Sequence, residues 1–474
     1  MAGDGLFEDL PEARAPEATE SGGRARLREP ERDRVELHVF DLDRLISRDH
    51  PVRVIWAYVE RLDLSGLEAG IKAREGRPGH PPIAPRLLVA LWLYATSEGV
   101  GSARALARLC TCHDVYRWLV GGVSVNHHTL SDFRVAQPDL LDRLLTENVA
   151  ALAAAGLITL DTLAQDGLRV RAAAGASSFR RRGTLEKHLK RAGEVVERLK
   201  QELHDDPDAS NRRIRAAAER AAREREARLT RALEQHAAVE AQKQNRQEER
   251  SKNEARRRRR KAQPPQGRGT GPAPDEPSDP PQAPPEKATR VSTTDPEVRV
   301  IKMPDGGFRP AWNMQIASAV EQQIVVAVDV TANGSDRGLA RPMLEEIRRR
   351  FARLPCRHLA DGGFTTAADI EWTAGEGVLL HCPPTFTKHG TDPYAPRSKD
   401  GPGVAAWRQR MKSQPGKERY QRRSLIECVN ARARGSTLDQ ITVRGRDKAL
   451  ILLRWFALAN NILQGHRLAS LALA

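Results

Sequence analysis

Apolar residues fall in two rhythms along this chain, and the change of rhythm divides it. From Val35 to about Gly156 they recur every three to four positions. Val52, Ile55, Trp56, Val59 and Leu62 follow Pro51, and Leu87, Leu88, Leu91 and Tyr94 follow Pro85. Leu106 and Leu109 follow Ser102, while Leu140, Leu141, Leu144 and Leu145 precede Gly156. Proline just inside a helix and glycine just past it are start and stop marks. The segment 35–156 therefore predicts roughly four or five short helices around one core, a small all-α domain.

The period shortens from Leu157 to Val170. One parity carries Ile158, Leu160, Ala164 and Leu168, and the other carries Thr159, Asp161, Gln165 and Arg169. This alternation predicts a strand with the first set facing inward. Asp166 shares the inward parity, where a carboxylate is costly unless paired or metal-bound. That singles out Asp166 over Asp161; a plain strand-end aspartate is the competing reading.

Thr184 to Lys261 is almost entirely Ala, Glu, Arg, Lys and Gln, which predicts a long charged helix or coiled-coil arm. Gln263 to Glu286 is so rich in Pro and Gly that it reads as an extended linker. Residues 184–300 together look like an insertion between 157–183 and 301–474. Beyond it, Trp312–Val320 and Ile324–Val330 predict a hairpin across Glu321-Gln322-Gln323. A helix over Met343–Arg353 and a short strand over Cys356–Ala360 follow, the strand running into Asp361-Gly362-Gly363. Thr366-Ala367-Ala368-Asp369 is a capping pattern that opens another helix. A strand at Gly377–Cys382 stops at Pro383-Pro384, and helices over Lys417–Arg434 and Asp447–Leu471 close the chain. The fold class expected is α/β: an open mixed sheet covered by helices, interrupted by the charged insertion and preceded by the α-domain. Residues 1–34, rich in Pro, Gly, Glu and Arg, read as a disordered tail.

Composition narrows the partners. Of 474 residues, 77 are Lys or Arg and 62 Asp or Glu, a formal charge of +15. Such a surplus favours polyanions, nucleic acid first, although a solvated basic surface also produces it. Arg256–Arg260 and Lys261 form the densest basic run, able to grip phosphates or simply to be solvated. No stretch approaches the ~20 apolar residues of a membrane span; Ala449–Leu463 is broken by Arg454, Asn460 and Asn461. The polar start shows no signal peptide, and five scattered cysteines suit a reducing cytoplasm. A soluble cytoplasmic protein is expected.

Three carboxylates stand out for chemistry. Asp166 lies on the inward parity of the first strand. Asp361 sits where a strand ends and two glycines let the backbone turn, the edge where open α/β sheets place ligands. Glu427 lies on a helix where, at 100° per residue, Tyr420, Arg423, Glu427 and Arg434 fall within about 60° of one another. Leu425, Ile426, Val429 and Ala433 take the other side; an ordinary solvated face can also make such a stripe. Asp329 competes with Asp361 but lacks a following glycine turn, so it reads as a strand-end polar residue. Cys110-x-Cys112-His113, with His127 and His128, has the wrong spacing for structural zinc. Cys356, Cys382 and Cys428 are expected to be buried thiols. Asn460 and Asn461 are expected to satisfy local hydrogen bonds.

Tyr420-x2-Arg423-x3-Glu427-x6-Arg434 resembles the Tyr-Arg-Glu-Lys signature of bacterial insertion-sequence transposases of the DDE class. Asp166-Gly167 resembles that family's first-aspartate strand and Leu359-Ala360-Asp361-Gly362-Gly363-Phe364 its second. Trp312-Asn313-Met314-Gln315 resembles the strand between them, where the family has Tyr-Asn-x-Gln. Asp49-His50-Pro51-Val52-Arg53 and Ser131-Asp132-Phe133-Arg134 resemble its N-terminal helical domain. The resemblance covers most of the chain outside tail, arm and linker, in the right order. It implies an RNase H-like core, a helical DNA-binding domain and a catalytic, metal-binding triad of Asp166, Asp361 and Glu427. It also implies phosphate contacts from Tyr420, Arg423 and Arg434, the last standing where the family has Lys. Two Mg²⁺ ions, or Mn²⁺ in their place, would support in-line displacement at a phosphodiester, since Mg²⁺ prefers hard oxygen ligands. The implied partners are double-stranded DNA at the element's inverted-repeat ends and at the target, with at least a homodimer to pair two ends and a nucleoid-associated location in a bacterium. An inactive DNA-binding relative and a metal nuclease without strand transfer are the alternatives; the presence of all three carboxylates argues against the first.

Overall fold

A computed structural model describes residues 41–73, 81–205, 209–262, 288–384 and 392–473. The predicted tail at 1–34 and the linker at 263–286 lie outside them. The chain opens with α1 (Pro51–Glu60), α2 (Ser65–Ala69), α3 (Pro85–Ser97), α4 (Ala103–Cys112), α5 (Asp114–Val120), α6 (His127–Ala136) and α7 (Pro138–Ala154). These are more helices than the apolar spacing predicted, because α2 and α5 are too short to show a full period. Pro51, Pro85 and Pro138 each open a helix, and Ser102 caps α4 by accepting from Ala105 N.

Next come β1 (Thr162–Arg171), β2 (Phe179–Arg180), α8 (Arg182–Asp205), α9 (Ala209–Ala262), β3 (Val291–Ser292) and β4 (Arg299–Lys302). The hairpin strands β5 (Phe308–Ala319) and β6 (Ile324–Thr331) precede α10 (Ala340–Phe351), β7 (Arg357–Leu359), α11 (Ala367–Gly375) and β8 (Leu379–His381). The remainder is helical: α12 (Pro402–Lys412), α13 (Gln414–Gln421), α14 (Ile426–Gly435) and α15 (Arg446–Leu473).

Six strands form one mixed sheet in the order β4-β5-β1-β7-β8, with β6 also on β5. β1 and β5 are antiparallel, with Asp166 opposite Ile316, whereas β1, β7 and β8 run parallel. A mixed sheet with helices against it is consistent with an RNase H-like domain. Because β1 is central, both of its faces are covered: Ala164 and Leu168 are buried as predicted, but so are Leu163 and Gln165. Placing Gln165 on an outward parity was therefore wrong, since alternation marks solvent only where one face is bare.

The charged segment forms two long helices, α8 and α9, packed on each other through Leu185, Ala192, Leu229 and Ala232. Its ends are fastened together at the base. β2 pairs with β3, and the Ser178 and Ser292 hydroxyls meet at 2.7 Å. The chain thus leaves and re-enters the sheet at one place.

Helix α15 is buried along most of its length between the sheet and α1, α3 and α7, so one apolar core runs from Ile46 to Ile462. Asn461 grips β6 on both sides, accepting from Val325 N and donating to Val325 O, each at 2.7 Å. Asn460 donates to Gln323 O. Beyond the local bond expected, in which Asn460 Nδ2 donates to Asn461 Oδ1 at 3.2 Å, both asparagines bond across more than a hundred residues. No helix among the described residues is long and apolar enough to cross a membrane.

The predicted helix Lys417–Arg434 is broken. α13 ends at Gln421, a 3-10 turn spans Arg422–Leu425, and α14 starts at Ile426. Two cysteine expectations also fail: Cys382 is buried, but Cys356 and Cys428 are exposed. Cys356 precedes β7 rather than lying within it, and Cys428 lies on the face of α14 away from Val429 and Ala433.

Candidate active site

The geometry follows from where β7 stops. Its last pair with β1 joins Leu359 to Ala164, and the next contact on that edge is the bridge of Arg171 with Gln440, so no strand pairs with that edge of β1 between Gln165 and Val170. Asp166 lies two residues into the open stretch, and Asp361 two residues past the end of β7. The Asp361 turn is tight: its Oδ1 accepts from Gly362 N at 2.6 Å. A Cβ on Gly362 would come within 2.6 Å of Pro383 O, so only glycine fits there.

From the other side, α14 and the preceding turn close over Asp166. Asn430 Nδ2 donates to Asp166 Oδ2 at 2.8 Å, and Arg423 Nη1 stands 3.5 Å from Asp166 Oδ1. Arg423 Nη2 is 3.9 Å from Glu427 Oε1. Arg423 therefore lies between two of the three carboxylates. Burial raises the Asp166 carboxyl above its ordinary range; Arg423 acts against this, while Asp336 and Asp361 add to it. Burial works to lower the Arg423 pKa, but Asp166, Tyr420 and Asp361 together raise it. The two shifts agree once burial is counted, because the pair is favourable yet does not offset the desolvation of Asp166.

Of the residues singled out, Asp166, Arg423 and Glu427 are brought together, Tyr420 adds a contact to the Arg423 guanidinium, and Asp361 enters the same electrostatic field. Arg434 stands apart, exposed near the end of α14. Asp329 is engaged elsewhere, pairing with Arg446 at 2.6 Å. Cys110 is buried and Cys112 exposed on α4. Among the described residues, no three His, Cys, Asp or Glu side chains stand close enough to hold a metal ion.

Two further residues went unnoticed in the sequence. Asn430 falls on the same helical stripe as Arg423 and Glu427, so extending that stripe past Glu427 finds it. Asp336, in the loop after β6, has no such sign. Its Oδ1 accepts from Asn313 Nδ2 at 2.6 Å and Gln315 Nε2 at 2.9 Å. Gln315 Oε1 accepts from Gln165 Nε2, and Gln165 Oε1 meets His358 Nε2 at 3.0 Å. Burial lowers the His358 pKa to about 4, so the ring is neutral near pH 7. This buried polar chain links the Asp336 loop to β5, β1 and β7. Gly338 N in turn donates to Phe364 O at 2.6 Å, fastening the loop to the Asp361 turn.

The chain of hydrogen bonds needs Gly167. A Cβ there would meet Asp336 Oδ1 at 2.5 Å, and Asn313 Oδ1 and Gln315 Nε2 at 2.8 Å. All three atoms belong to bonded side chains that have little room to give. Gly167→Ala is expected to destabilise the fold by about 1–3 kcal/mol through overpacking, read as a lower denaturant midpoint at unchanged slope. An unchanged midpoint would show that the network shifts freely.

The N-terminal motifs act as clasps. His50 Nδ1 accepts from Val52 N to cap α1, and Arg53 pairs with Asp43 at 2.8 Å beneath the Trp118 ring. Arg134 is buried, stacked 4.7 Å over Trp92 and donating to Gly101 O.

Two family models match the chain. Residues 40–136 match Transposase domain (DUF772), and residues 288–462 match Transposase DDE domain. No curated protein and no solved structure matches. The DDE match includes Asp361, Glu427 and Arg423 but begins at residue 288, after the charged helices α8 and α9; β1, with Asp166, lies outside the match and meets it through the sheet and through Asn430 and Arg423. With one transposase domain before the insertion and another after it, the chain belongs to the DDE transposases of insertion-sequence mobile elements.

Proposed function

We propose that the protein binds the terminal inverted repeats of its own element and, with Mg²⁺, cleaves the DNA there and joins the freed 3′-hydroxyl to target DNA. The observation that carries this reading is the meeting of Asp166, Arg423, Glu427 and Asn430 beside the Asp361 turn, at the edge of β1 that β7 leaves open.

The donor set suits the metal. Asp166, Asp361 and Glu427 offer hard carboxylate oxygens, and Arg423 holds a positive charge between two of them although its buried Nη1 makes no hydrogen bond. These three carboxylates would hold Mg²⁺, which supplies charge neutralisation at the phosphodiester and a more acidic water. Asn430 holds one oxygen of Asp166 and so fixes the direction of the other. Glu427, 65% exposed on its side chain, is free to turn toward Asp166. Arg423 then turns its positive charge to the DNA phosphate, with Tyr420 beside it. Arg434 extends the same cationic face along α14. Pairing two ends would need at least two copies of the chain.

The test is purified protein on a plasmid carrying the DNA that flanks the gene. Scission at the element ends with Mg²⁺ and none with chelator, followed by joining to a second plasmid, is the expected result. End-binding without scission at any Mg²⁺ concentration would overturn the enzymatic reading, and scission without joining would make the protein a nuclease.

A further inference from the structure

A groove of about 530 Å³ lies away from the carboxylates, where the N-terminal helices meet the segment joining α14 to α15. Its lining contains no Asp or Glu, although the chain has 62 such residues. It does contain Arg104, Arg444 and Lys448, all exposed, the first from α4 and the other two from the start of α15 and the segment that leads into it. His127 and His128 add two imidazoles, with ring centroids 4.1 Å apart.

The backbone adds to this charge. Ala103 and Arg104 lie in the first turn of α4, His127 and His128 in the first turn of α6, and Lys448 in the first turn of α15. Three helix starts thus line one concavity. Each start carries roughly half a positive charge; neutral side chains, Ser102 and Asn126, cap α4 and α6, whereas the Glu297 carboxylate accepts from Arg446 N and offsets the α15 start, so the α4 and α6 dipoles contribute most. The groove is also firmly built: Arg134 in its floor donates to Gly101 O, and Trp455 Nε1 donates to Arg134 O at 3.0 Å.

Its position ties it to the carboxylates. A Cβ on Gly99 would stand 3.0 Å from Gly435 O, and one on Gly101 3.4 Å from Thr437, so the α3–α4 loop rests on the end of α14. Glu427 lies at the start of that ten-residue helix. Groove and carboxylates therefore sit at opposite ends of about 15 Å of helix, less than half a turn of B-DNA at ~34 Å.

We infer that this groove seats the sugar-phosphate backbone of duplex DNA and holds an element end against the carboxylate edge. The inference rests on the transposase reading above. Arg104, Arg444 and Lys448 contact phosphates rather than bases, so the grip is independent of sequence.

The test is binding of the full-length protein to short duplexes in chelator, one carrying the element end and one unrelated, across a salt series. The alanine triple variant Arg104→Ala, Arg444→Ala, Lys448→Ala is expected to bind both duplexes at least about tenfold more weakly near 0.1 M salt. Its slope of log affinity against log salt should fall by about 2 to 3. The charge-retaining triple Arg104→Lys, Arg444→Lys, Lys448→Arg should stay within about threefold of wild type, since phosphate contact here needs charge more than shape. Affinity and slope unchanged in the alanine variant would overturn the inference, as would an equal loss in both variants or a loss confined to the element-end duplex. A wild-type protein that binds neither duplex would instead overturn the transposase reading itself.

Discussion

Asp166→Asn is expected to lower Mg²⁺-dependent end cleavage by at least about 10³-fold, a cost of about 4 kcal/mol in the transition state. Asparagine keeps the shape and can still bond Asn430, but it removes the charge that a divalent cation requires. End-binding should remain within a few-fold of wild type, because Asp166 repels rather than attracts phosphate. The same substitution should raise stability in metal-free buffer. Burial lifts the Asp166 carboxyl above its ordinary range despite Arg423. Between its unfolded and folded pKa the native chain holds a proton that the unfolded chain has lost. Stability therefore falls as pH rises through that window, and the full cost is present above the folded pKa. The melting temperature of Asp166→Asn should accordingly exceed that of wild type near neutral pH and converge on it in acid. Asp361→Ala should match the loss of cleavage. Full cleavage by either variant would remove that carboxylate from the site, and an Asp166→Asn protein less stable at neutral than at acid pH, relative to wild type, would reverse the account of Asp166.

That a site could be singled out before any coordinates reflects where its chemistry breaks local rules. Asp166 sits on an apolar parity, and the Asp361 turn has two glycines after a short strand. Glu427 and Arg423 share a helical stripe that survives the 3-10 turn, since one turn at three residues per turn displaces the stripe only modestly. Apart from the β5–β6 hairpin, strand pairing was not legible. β4 and the short ladder of β2 with β3 have too few residues to show a period, and the Pro402 that opens α12 was a start mark left unread. Asp336 was invisible because its role comes from neighbours more than twenty positions away in sequence, Asn313 and Gln315, and from the missing side chain of Gly167. Gln165 was placed on the wrong side because a central strand buries both parities. Local pattern shows which residues are costly where they stand, whereas the partner that meets the cost is decided by topology.

Arg423→Lys is expected to lower cleavage about 10–100-fold, roughly 1.4–2.8 kcal/mol, with end-binding changed only a few-fold. The guanidinium now reaches toward Asp166 with Nη1 and toward Glu427 with Nη2, and Tyr420 adds a contact to it. One ammonium is a point charge and cannot span both carboxylates while presenting a flat face to a phosphate. Arg423→Ala should be worse, about 10³-fold, because it also leaves Asp166 buried with no cation nearby until metal binds. The two variants separate the roles the geometry combines. If charge alone matters, Lys restores most of what Ala loses, and its cleavage approaches wild type at higher Mg²⁺. If the planar fork matters, Lys stays well below wild type at every Mg²⁺ concentration, which is the outcome expected from a guanidinium divided between two carboxylates. Equal cleavage by Arg423→Ala and wild type would mean that the guanidinium merely fills the space between the carboxylates and takes no part once DNA and metal arrive.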